Sequence, residues 1–149
     1  MALLAKQLLE LANGTRKSEV MKPIAEKYTS AEHQALATYF SGQRRAPGTV
    51  TNPALVEQGR TLFHEGNKET GVPACAGCHK PDGSGTPRSP MIAGQDAAYT
   101  LQQLRNFDQE LRANDRGRLM RTVAGRMTDE EMRAVSEYVA GMAVVTAQP

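Results

Sequence analysis

An all-α fold is what the sequence predicts, on three observations. Apolar residues recur three and four apart, as in Leu4, Leu8 and Leu11 near the start and Met132, Val135 and Val139 near the end. The period-two alternation that marks strands is almost absent. The tetrad T-x-x-E occurs twice, at Thr29/Glu32 and Thr128/Glu131, each time ahead of an apolar run. That tetrad is a helix start, because threonine and glutamate can each satisfy a backbone N–H that the first turn leaves open.

The elements follow in order. ALLAKQLLELA carries its leucines on one helical face, with Lys6 and Glu10 between them. This is not the basic-then-apolar pattern of a secretory leader. TSAEHQALATYF is a second helix. GQRRAPGTVTNP (42–53), rich in Gly, Pro and polar residues, is a linker. A run around QGRTLF (58–63) precedes the motif CAGCH (75–79), and AAYTLQQL ends a longer stretch beginning SPMIAGQD. LRANDRGRLMRTVAGR is expected to be a loop between two helices, and the last helix runs from Thr128 to a fraying end at Met142.

Composition sets bounds. The chain has 149 residues and a net charge of +2, with no dense Lys/Arg block, which argues against nucleic acid as a partner. No apolar run approaches the length of about 18 residues that a spanning helix needs. Aromatics are 5% of residues and tryptophan is absent, so side chains alone give a thin core. A buried cofactor would thicken it.

CAGCH names that cofactor. The two cysteines of the chain both lie in this C-x-x-C-H, the attachment sequence of c-type haem. Each thiol adds across one porphyrin vinyl group, and two intervening residues let both sulfurs reach from one turn of chain. The histidine that follows, His79, then lies under the iron. A zinc site would need four ligands, and His33 and His64 lack the paired spacing to complete one. A thioredoxin-like redox pair would need a βαβ setting. Both His33 and His64 are expected at the surface of helices.

For the sixth position of the iron the chain offers Met91, Met120, Met127, Met132 and Met142. Met132 belongs to the apolar stripe of the last helix. Met120 is favoured because a loop can carry one side chain over the far face of the ring, with Met91 and Met127 as alternatives. A thioether there favours Fe(II) and, with both axial positions filled, leaves electron transfer as the chemistry.

These residues resemble a family, the class I cytochromes c, and within it the dihaem periplasmic cytochromes of the c-four type. QGRTLF resembles the N-terminal helix of the class, which implies that Gly59 and Phe63 face Tyr138 on the last helix. SPMIAGQDAAYTLQQL (89–104) resembles the family's P-x-x-A-G-Q-x-x-x-Y-x-x-x-Q-L run. It implies that the Pro90 carbonyl accepts from the free ring N–H of His79, fixing the imidazole. LMRTVAGRMTDEEM resembles the ligand loop, with Met120 at the axial position. The resemblance covers residues 54–142, and one departure from it is Lys80, where the family commonly has Gly. It implies a bacterial periplasmic electron carrier between a quinol-oxidising complex and a terminal oxidase. The alternatives are the electron-entry subunit of a dehydrogenase and, less favoured, a haem peroxidase.

The chain also repeats itself. Residues 4–16 align with 100–112, pairing Gln7 with Gln103, Leu11 with Phe107 and Arg16 with Arg112. Residues 20–42 align with 119–141, pairing Met21 with Met120 and Tyr39 with Tyr138. The expected organisation is an incomplete repeat over 1–43 without C-x-x-C-H, a linker over 44–53 and a whole unit over 54–149. A shortened two-haem chain accounts for this better than a natural form that lost its first haem. Met21 is then a core or vestigial methionine, favoured over a ligand for haem held by another chain. Leu4, Leu8, Leu11, Leu36, Tyr39 and Phe40 need a covering surface, either the second unit or the same segment of another chain, which makes a homodimer through residues 1–43 an expectation. Arg105, Arg112, Arg116, Arg118, Arg121 and Arg126 would form either a mixed solvated face or a basic rim that steers an acidic redox partner.

Overall fold

The computed structural model describes residues 2–43 and 45–144. Met1, Arg44 at the start of the expected linker, and 145–149 at the end of the expected second unit lie outside them. Eight α-helices are found among the described residues, with short 3-10 turns at Pro53–Leu55 and Arg116–Arg118: α1 (Ala2–Ala12), α2 (Lys22–Ala25), α3 (Ser30–Ser41), α4 (Val56–Glu65), α5 (Ala76–His79), α6 (Ala97–Asp108), α7 (Leu119–Ala124) and α8 (Asp129–Gly141). Among these residues there is no strand, only an isolated antiparallel bridge between Asn67 and Val72.

Both T-x-x-E tetrads close as full capping boxes, Thr29 with Glu32 at α3 and Thr128 with Glu131 at α8. Met120, read in the sequence as a loop residue, instead lies in the short helix α7. Arg118 enters α7 in the left-handed region, φ 59°, which turns the chain into the new axis. Met142 is not on a frayed end either: it is buried at the close of α8, against Gly83.

The core lies where α4 and α6 pack on α8. Phe63 is fully buried, its ring centroid 5.4 Å from that of Tyr138. At the crossing, a Cβ on Gly59 would overlap the carbonyl oxygen of Ala134, so glycine is what lets α4 approach α8. His64 shares a 2.8 Å hydrogen bond with the Tyr138 hydroxyl across the same crossing. Leu62, Val72, Leu104, Phe107, Met132, Val135 and Val139 belong to the same buried cluster. The linker is not loose: Arg45 donates to Ala93 O, and the Thr51 N–H donates to the Glu137 carboxylate at 2.7 Å.

Residues 2–43 make a smaller assembly in which α1 packs on α2 and α3 around Leu11, Ala25, His33 and Ala37. The expectation that His33 is a surface residue fails. It is 3% exposed, its Nε2–H donating to Ala25 O at 2.9 Å. The position corresponds to Met132 in the repeat, so an imidazole fills a place that packing dictates. Tyr39 and Phe40 are 61% and 56% exposed, whereas Tyr138, the counterpart of Tyr39, is covered by α4.

The two repeats meet through their equivalent residues. Arg16 donates to Gln7 Oε1 at 2.8 Å and to Gln103 Oε1 at 3.3 Å. Arg112 donates to Gln103 Oε1 at 2.8 Å and to Gln7 Oε1 at 3.2 Å. Each guanidinium therefore bonds its own repeat's amide and the other's. Burial, and then the neighbouring Arg16, push the Arg112 guanidinium down to about 10, still charged at neutral pH.

Candidate haem site

The attachment segment is one turn of helix. The Cys78 and His79 N–H groups both donate to Cys75 O, at 3.1 and 2.9 Å, so Cys75, Cys78 and His79 share a single turn. Cys75 is half-buried and Cys78 exposed. A side chain on Gly77 would meet nothing, leaving that side of the turn open.

His79 is buried, and its Nδ1–H donates to Pro90 O at 2.8 Å. A carbonyl oxygen only accepts, so Nδ1 carries the proton and Nε2 is the nitrogen left with a free lone pair. Burial lowers the imidazole's proton affinity, against the opposing pull of the Pro90 carbonyl. Lys80, next in the chain, has φ 67° and ψ 156°, a region that glycine takes without strain. Gly83 and Gly85 then turn the chain back, with Gly85 N donating to His79 O.

Met120 is half-buried on α7 and packs against the core cluster with Cys75, Ile92, Leu101, Val123 and Met127. Its helix is fixed at the entrance by Asp115, whose carboxylate accepts from the Arg121 backbone N–H at 3.0 Å and from its Nε at 2.7 Å. Two thiols on one turn, an imidazole with its second nitrogen free, and half-buried apolar side chains around the core fit a covalently held porphyrin. When bound, the group supplies one-electron Fe(III)/Fe(II) chemistry, and the chain supplies attachment and the orientation of His79.

The arginines around the ligand segment are mostly compensated rather than a bare basic rim. Arg105 pairs with Asp129, Arg118 with Glu110 and Arg121 with Asp115. Arg126 donates to Gly71 O, and Arg112 is turned into the contact between the repeats. Sequence reading missed that contact, although the aligned pairs Gln7/Gln103 and Arg16/Arg112 carried its signal.

The fold and this turn define a c-type haem protein, and comparison with known proteins gives its kin. Residues 56–143 match the family model described as cytochrome c. A cytochrome c4 of Thiocapsa roseopersicina is 41% identical over 142 residues, covering 93% of this chain and 73% of the relative. The crystal structure of reduced recombinant cytochrome c4 from Pseudomonas stutzeri superposes with a TM-score of 0.89 at 34% identity, over 95% of this chain and 80% of that one. A protein of Thiomonas intermedia strain K12 named thiosulfate dehydrogenase electron acceptor is 37% identical, over 92% of this chain and 64% of its own length. The chain belongs to the cytochrome c family. It is an electron-transfer haem protein with one haem c at the Cys75-x-x-Cys78 motif.

Proposed function

We propose that this protein is a periplasmic carrier whose haem iron sits between His79 Nε2 and the Met120 thioether. In this reading it passes single electrons without transforming a substrate. The observation that carries the reading is the His79 ring, held by Pro90 with one nitrogen left for iron. A thioether opposite it closes the second axial position, so neither substrate nor oxygen has a place to bind. The carrier runs between a quinol-oxidising complex and a terminal oxidase. No helix among the described residues is long and apolar enough to cross a membrane.

The test combines intact mass with optical spectra of protein matured in vivo. One covalent haem per chain is expected. The ferric protein should show the far-red band of thioether-to-iron charge transfer, and Met120→Ala should abolish it. A spectrum that Met120→Ala leaves unchanged points to an open sixth site and to peroxidase-like chemistry instead.

A dehydrogenase as electron donor is the second reading, favoured by the printed name of the Thiomonas relative. Co-purification of a larger partner separates it from free diffusion. Residues 1–43 are taken as an incomplete repeat, 44–53 as linker and 54–149 as the haem unit. The exposed Tyr39 and Phe40 on α3 support self-association through the first of these. Sedimentation over a range of concentrations should reveal a dimer that Tyr39→Glu weakens; a strictly monomeric mass at high concentration removes the idea.

A further inference from the structure

Glu131 has a second task that its counterpart in the repeat lacks. Glu32 caps α3 through Thr29 alone and is exposed. Glu131 is 7% exposed. Its Oε2 accepts from the Thr128 N–H at 2.8 Å, completing the cap. Its Oε1 turns outward from the helix and accepts from Asn67 Nδ2 at 2.7 Å and from the Thr70 hydroxyl at 3.3 Å. Arg126 reaches the same loop, its Nη1 donating to Gly71 O at 3.0 Å.

The loop is itself well defined. Gly66 leaves α4 at φ 73°, where a Cβ would overlap Val72 O, and the Asn67–Val72 bridge closes the turn with bonds of 2.8 and 3.0 Å. Cys75 follows Gly71 by four residues, and Arg126 follows Met120 by six. The segment that leads into haem attachment is therefore fastened to the segment that leaves Met120. Helix α7 has six residues, too few to hold a position unaided. It is held by Asp115 at its start and by this fastening just past its end.

We propose that Glu131, Asn67 and Arg126 are positioning residues that lock the Met120 segment against the attachment segment, and so set how firmly the thioether keeps the sixth position. This rests on Met120 being the sixth ligand.

The experiment is an imidazole titration of the ferric, haem-loaded protein, following loss of the thioether charge-transfer band. Asn67→Ala and Arg126→Ala each delete one arm of the lock and spare the capping box. Each should raise the apparent affinity for imidazole about five- to tenfold, the equivalent of one lost hydrogen bond. Glu131→Gln keeps an acceptor for the cap and should behave alike. Glu57→Ala, which removes an exposed ion pair with Arg60, should match the parent. A purely structural role would lower the melting temperature yet leave the imidazole affinity unchanged at room temperature, where the circular dichroism is native. That result in both alanine variants overturns the proposal. A parent protein without the band instead overturns the ligation reading beneath it, so the two failures are told apart.

Discussion

The Nδ1–H of His79 donates to the carbonyl oxygen of Pro90 at 2.8 Å. Eleven residues separate the two in sequence, and the turns at Gly83 and Gly85 bring them together. The bond fixes the plane of the imidazole and strengthens its remaining nitrogen as a donor.

Pro90→Ala keeps the carbonyl but frees the backbone that aims it. Loss of about 1 kcal/mol of hydrogen bond should speed exchange of the His79 ring proton with solvent about fivefold. A weaker donor stabilises Fe(III) less, so the reduction potential should rise. Proton NMR in deuterated water and a redox titration measure the two. An unchanged exchange rate would mean that proline contributes nothing to aiming the oxygen.

Lys80 sits at φ 67° and ψ 156°, a conformation that costs a residue with a Cβ about 1–3 kcal/mol. Lys80→Gly removes the strain and adds chain entropy to the unfolded state, about 0.4–1 kcal/mol in the opposite sense. The net should be a stabilisation of roughly 1 kcal/mol, with the melting temperature up by about 2–4 °C. Calorimetry of the haem-loaded protein decides it, and a lower melting temperature would show that the lysine is not strained where it lies.

Gln7 and Gln103 each accept from both Arg16 and Arg112. Removing either amide leaves half-buried guanidinium donors short of an acceptor, at a cost of about 1–3 kcal/mol. Because the two amides serve the same donors, Gln7→Ala and Gln103→Ala should not add. Chemical denaturation should give a double variant that departs from the sum by about 0.5 kcal/mol or more. Strict additivity would mean that the two repeats do not share the network.

Glu32 closes the cap of α3, and its bonds to the Thr29 backbone N–H and then to the Thr29 hydroxyl hold its carboxyl below the ordinary value of 4.5. A carboxyl so depressed in the folded state supports the fold fully above its unfolded value, and the support fades as pH falls through the folded one. Helix signal from residues 1–43 should therefore hold at neutral pH and weaken below about pH 4.5. Glu32→Gln should flatten that part of the acid titration. Hydrogen exchange resolved along α3 provides the readout, and protection that ignores pH down to about 3 in the parent protein would rule the cap out as its cause.

Much of the site could be read without coordinates, because its chemistry is local. C-x-x-C-H is one turn of chain, and a T-x-x-E cap closes within four residues. Gly59 and Phe63 opposite Tyr138 came from resemblance, and the packing of α4 on α8 places them there. Local pattern misjudged three positions. His33 was assigned to the surface because no ligand spacing surrounds it, yet its helix turns it inward onto Ala25. Met142 closes against Gly83, and the loop expected around Met120 coils into α7. The arginines leave a mixed face and a basic rim both open in the sequence, which lists charges without their partners, and their ion pairs favour the mixed face.

Where the haem is attached, that the fold is helical, and that 4–16 and 20–42 recur at 100–112 and 119–141 can all be read from the residues alone, since each is written in residues close together or in register. Helix packing settled which other residues meet across the chain: Glu131 on Asn67, and Gln7 with Gln103 between the two arginines, whereas Pro90 on His79 is already implied by the resemblance. The physical reason is that these are bonds between single donors and acceptors far apart in the chain. Their geometry exists only after helix packing has fixed distances to within a hydrogen bond's tolerance.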